Sequence, residues 1–134
     1  MAELELSNSG DETMVRRGFS QPGDVRREVV HAAIGARATI LAVPEDLAKR
    51  LGLATQYQRL ARVADGSVIE CDVVGPVGVR FGNRYCVGSA IAVPGLSNVI
   101  LGSIQMDEMD LLVDPLTQRL IFNPRSPDRA MVFA

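Results

Sequence analysis

Two dipeptides, Asp65-Gly66 and Gly82-Asn83, each stand between stretches that read as β-strands, and they constrain this chain more than any other feature. Residues 57–64 and 67–74 flank the first, and 77–81 and 84–93 flank the second. A two-residue hairpin loop follows the twist of its strands when its central residues take positive φ angles, which Gly, Asn and Asp tolerate. Two consecutive antiparallel hairpins are therefore expected. Further short strands are expected over 25–34, with Val30, Ala32 and Ile34 on one face, and over 38–43, 98–101, 111–113 and 120–122. Residues 44–53 carry helix signals in order: Pro44 at the start, Glu45 and Asp46 near the positive end, Lys49 and Arg50 near the negative end, and Gly52 as terminator. Residues 103–109 read as a second, shorter helical turn. Many short strands with turns roughly every eight to twelve residues point to a mostly β protein built as a small closed barrel.

With 134 residues the chain is long enough for one core without staples and too short for two. The expected division is a weakly ordered segment over 1–24, rich in Ser, Asn, Gly, Asp and Glu, followed by a folded domain over 25–134. No apolar run approaches the roughly 18 residues of a membrane span. The polar start lacks the basic and apolar stretches of a secretory signal, so the expectation is a cytoplasmic protein that does not engage membranes. A net charge of −2, with only the short basic pairs Arg16-Arg17 and Arg26-Arg27, gives no basis for nucleic-acid binding. Cys71 and Cys86 lack His or Cys neighbours at metal-ligand spacing and read as buried thiols; His31, the single histidine, reads as an ordinary strand residue. Neither a metal nor a cofactor is expected.

Three stretches, taken in order, carry a family resemblance. The first is Ala38-Thr39-Ile40-Leu41-Ala42-Val43-Pro44, continuing through the helix to Leu51-Gly52-Leu53. The second is Val63-Ala64-Asp65-Gly66-Ser67. The third is Val99-Ile100-Leu101-Gly102 with Met109-Asp110-Leu111-Leu112-Val113-Asp114-Pro115 and Arg119-Leu120-Ile121-Phe122-Asn123-Pro124. Together they resemble the bacterial retropepsin-like aspartic proteases, which share the fold of the retroviral enzymes, over about residues 25–128. The resemblance implies an acid-protease closed barrel, a flap at the Asp65-Gly66 hairpin and a second signature at Ile100, Leu101 and Gly102. It also implies a twofold dimer in which each chain supplies half of a cleft, with residues 120–122 as a candidate interface strand.

The departure falls at the functional centre. Laid without gaps against the family, Gly35-Ala36-Arg37 occupies the place of its catalytic Asp-Thr-Gly; a register with a two-residue insertion would put Ala33-Ile34-Gly35 there instead. Neither supplies an aspartate, and the chain has no Asp between Asp24 and Asp46. In the family, two aspartates share a proton, one activating water while the other protonates the peptide carbonyl. The expectation is thus no catalytic residue and a peptide or protein partner held at Arg37, Ala38, Thr39, Asp65 and Gly66. Two alternatives stand beside it: a peptidase with relocated carboxylates, for which Asp46 and Asp65 are the candidates, and a structural or regulatory domain with a filled cleft. Paired Arg37 side chains near a twofold axis would turn into solvent, find carboxylates or bind an anion.

Overall fold

The computed structural model describes residues 1–34 and 37–134. The chain runs through β1 (Ala2–Asn8), α1 (Ser9–Arg16), a 3-10 turn (Pro22–Asp24), β2 (Arg27–Ala33), β3 (Leu41–Pro44), α2 (Glu45–Arg50), β4 (Ala54–Arg62), β5 (Val68–Phe81), β6 (Arg84–Val93), β7 (Val99–Ile100), α3 (Ser103–Met109), β8 (Leu111–Val113) and β9 (Leu120–Phe122). Both expected hairpins form. Gly66 and Gly82 take φ of 87° and 59° at the β4–β5 and β5–β6 turns, where a side chain would be strained. What read as two strands on either side of Gly75-Pro76 is one 14-residue strand, β5, whose pairing with β6 shifts register between Val74 and Val77. Pro76 cannot donate to a ladder, so the strand bends there and continues.

That bend lets β5 serve two neighbours on one side. Residues 68–75 pair with β4, and residues 77–80 pair with β1. The strand order is β1-β2-β7-β3-β6-β5, with β1 hydrogen-bonded back to β5, so six strands close into a barrel and β4 continues beyond β5 as a seventh. Inward residues of every wall meet in one core, Leu4, Leu6, Leu41, Val43, Val77 and Val79 among them. Ala42, Cys71 and Ile91 form a smaller cluster with Ile40, Ile69 and Ile100. Cys71 and Cys86 are buried and free, and burial pushes the Cys86 thiol up to about 12, which keeps it neutral and unreactive.

The barrel corrects the expectation of a weakly ordered segment over 1–24. Ala2, Leu4 and Leu6 alternate inward, Leu4 and Leu6 being 1% and 0% exposed, and the strand they belong to is the one that closes the ring. The Ser- and Asn-rich stretch after it is a capped helix: the Asn8 side chain accepts from Asp11 N at 3.0 Å and donates to Leu51 O at 2.8 Å. Asp11 in turn holds Arg26 through two guanidinium contacts of 2.9 Å. The Leu4 and Leu6 amides should therefore exchange with deuterium as slowly as those of Val77 and Val79, the strand opposite; fast exchange confined to residues 2–8 would mean that the closing strand frays.

Residues 120–122, the candidate interface strand, pair with β8 of the same chain. Leu120 is buried in the core, and the Phe122 ring meets Phe81 edge-on at 5.8 Å. No helix among the described residues is long and apolar enough to cross a membrane.

Candidate functional site

The site builds from the short strand β7, which sits between β2 and β3. Ala32 and Ala33 pair with Val99 and Ile100 in parallel, and Ala42 pairs with Ile100 in antiparallel. The chain thus leaves the barrel wall after Ala33 and returns at Leu41, with Ile100-Leu101-Gly102 laid between the two arms. Leu101 N donates to Ala33 O at 3.0 Å on one side. On the other, Ser103 N donates to Ala38 O and Ile104 N to Thr39 O, both at 3.0 Å. Those two N–H groups open α3 and have no partner within the helix, so the returning arm satisfies them.

Close approach makes this possible. A Cβ at Gly102 would stand 2.4 Å from the Ile40 carbonyl carbon and 2.7 Å from Thr39 O, so the expected second signature needs glycine for space. Gln105, on α3 and 3% exposed, accepts from Leu41 N at 2.9 Å and reaches Ser89 O at 3.4 Å, fastening β3 to β6 just beyond the loop. In sequence Gln105 is one more polar residue of a short helix, and only its burial singles it out.

The structure brings Ala38 and Thr39 together with Ile100, Leu101 and Gly102. Gly35 and Ala36, two of the three triplet positions, lie outside the described residues. Arg37, beside them, is exposed. Asp65 and Gly66 sit apart, in the turn of the β4–β5 hairpin, where the Asp65 carboxylate accepts from the hydroxyl and from the backbone N of Ser67; the hydroxyl bond, the larger effect, holds its carboxyl below the ordinary range. Asp46 lies in the first turn of α2, 79% exposed, with Arg50 at 3.2 Å. No hydrogen bond among the described residues joins either carboxylate to Ala38 or Thr39. Among the same residues no group of three or more His, Cys, Asp or Glu could hold a metal ion.

The strongest polar constellation is elsewhere, at the end of α3. Arg84 is 1% exposed and donates to Met109 O at 3.1 Å, to Asp110 O at 3.2 Å and to Ser126 O, with the Phe122 ring 4.3 Å away. Asp110 caps the helix in the left-handed conformation and accepts from Ser126 Oγ, Asn123 Nδ2 and Met131 N. This knot ties the last turn of α3 to the C-terminal segment. Alternation placed Arg84 inward, on the face of Cys86, and that was the available signal. The Ser126 hydroxyl, then Asn123 and the Met131 amide, hold the Asp110 carboxyl below the ordinary range. A depressed folded value means that this contribution to stability is full above the unfolded carboxylate range and is lost as pH falls through the folded value. The stability difference between the native chain and Asp110→Asn should shrink in acid. A difference independent of pH would show that the carboxylate is not the anchor.

The sequence matches no protein-family model and no curated protein. Among solved structures, the retroviral protease-like domain of Ddi1 from Leishmania major superposes with a TM-score of 0.51, covering 72% of this chain and 81% of that one. The fold is retropepsin-like. At 15% identity the likeness is one of fold. Within the retropepsin-like frame, the Ala38 and Thr39 carbonyls are taken up by Ser103 N and Ile104 N, and Arg37 beside them is exposed.

Proposed function

We propose that this chain is a proteolytically inactive, cytoplasmic retropepsin-like homodimer that holds an extended peptide or a partner segment without cutting it. One observation supports the reading: the chain has no aspartate between Asp24 and Asp46, the stretch where an ungapped alignment with the family sets Gly35-Ala36-Arg37 against its Asp-Thr-Gly. The acid-protease reaction needs two carboxyls close enough to share a proton, and glycine offers neither base nor acid. The candidate substitutes are otherwise engaged, Asp65 by Ser67 and Asp46 by Arg50. Loss of the threonine removes a hydroxyl that would brace two loops across the axis, and Arg37 adds a cation where the family keeps space. Main-chain recognition of an extended peptide needs none of these groups.

The test restores the triplet. A variant carrying Gly35→Asp, Ala36→Thr and Arg37→Gly should gain cleavage of an unfolded protein substrate in acid and sediment as a pair at micromolar concentration. A monomer in both native and restored forms would overturn the dimeric part of the reading.

A further inference from the structure

The outer edge of β4 is the longest unpaired strand edge among the described residues. It ends the strand order, and its outer edge is unpaired among the described residues. Eight of its nine residues are exposed, Tyr57 at 52% and Leu60 at 71%. An edge of this length presents a row of free N–H and C=O groups that template another strand. Its side chains are sorted by the pairing with β5: Tyr57, Arg59 and Ala61 lie opposite Val73, Cys71 and Ile69 on one face, and Gln58, Leu60 and Arg62 lie opposite Asp72, Glu70 and Val68 on the other.

Charge decides what fits. β4 carries Arg59 and Arg62 and no acidic residue, although the whole chain is net −2. Neither arginine takes part in an ion pair among the described residues; Arg62 spends one donor on Gly66 O at 3.0 Å, and Glu70 on the neighbouring strand pairs with neither. Edge arginines of this kind repel a like-charged strand. A second copy of β4 would bring four arginines and no carboxylate to one seam. An acidic strand instead turns the same charges into attraction and gives the free donors carboxylate partners.

We infer that the β4 edge binds an extended acidic peptide by antiparallel pairing, with carboxylates opposite Arg62 and Arg59 and apolar side chains opposite Leu60 and Tyr57. Read along the peptide, the pattern is acidic, any, apolar, acidic, any, apolar. This rests on the peptide-holding reading above and assigns it a surface and a ligand class, away from the triplet position.

The probe is a fluorescent peptide of that pattern, with anisotropy measured on the full chain. Arg59→Ala and Arg62→Ala should each weaken binding about two- to fivefold, as exposed ion pairs do, and added salt should weaken it further. Replacing both arginines by Glu should abolish binding of the acidic peptide and create binding of its lysine counterpart. Methylating the peptide amides that face β4 should abolish binding, whereas methylating the alternate amides should spare it. Arg37→Ala should have no effect. Absence of binding, or sensitivity to Arg37→Ala with none to Arg59 and Arg62, would overturn the inference. So would an intermolecular disulfide formed spontaneously by Gln58→Cys, which full-length self-pairing would place opposite its own copy. Peptide hydrolysis by the native chain would sink the inactive reading and leave this one standing.

Discussion

Arg84→Ala is expected to destabilise the fold by about 3–5 kcal/mol, since each buried carbonyl left without a donor costs about 1–3 kcal/mol and the packing of a fully buried side chain is lost as well. The guanidinium reaches three carbonyls, of Met109, Asp110 and Ser126. Two of these belong to the end of α3, where carbonyls have no successor in the helix to bond them. Removing the side chain strands the Met109 and Ser126 carbonyls, while Asp110 O keeps the Asn123 N–H at 3.1 Å, and leaves a hole beside Phe122. Arg84→Lys should recover little, since one ammonium cannot span a fork of acceptors. The Arg84 Nε–H has no protein acceptor among the described residues. A denaturation midpoint unchanged by Arg84→Ala would remove this knot from the account of stability.

Gly102→Ala should destabilise by about 2–4 kcal/mol through overpacking against main chain. The new Cβ meets the Ile40 carbonyl carbon at 2.4 Å and its Cα at 2.7 Å, atoms that cannot rotate aside as a side-chain tip can. To relieve the clash, α3 or the arm carrying Ala38 and Thr39 must move, and the Ser103–Ala38 and Ile104–Thr39 bonds go with them. Gly88→Ala, in β6, is the matched control, because a Cβ there has nothing within 4 Å. Equal effects at the two positions would mean that packing around Gly102 is looser than its geometry says.

Local chemistry made much of this fold legible. The turn residues of both hairpins, the charge order along α2 and the glycine of Ile100-Leu101-Gly102 each act over a few residues, so a linear reading finds them. The closing strand β1 escaped because it is held by β2 and β5, far along the chain, while the Ser- and Asn-rich residues after it carry a turn-like composition that is in fact a helix cap. The bend at Gly75-Pro76 was read as a gap between strands for a related reason: only tertiary pairing with both β4 and β1 shows why a strand should continue through it. At the site, the motif names Ala38, Thr39 and Gly102, but the bonds from Ser103 N to Ala38 O and from Ile104 N to Thr39 O run between main-chain atoms that it does not specify. Gln105 and Arg84 show in sequence at most as polar residues at inward positions; their partners, main-chain carbonyls and an amide, leave no trace there.

We propose that this retropepsin-like barrel has no catalytic dyad. The most direct measurement is mass spectrometry of an unfolded protein substrate incubated with the purified native chain across acidic and neutral pH, alongside Asp46→Ala and Asp65→Ala. The substrate is expected to remain intact with all three proteins. New termini that grow with time in the native reaction and vanish with either aspartate variant would contradict it and place the chemistry on a relocated carboxylate.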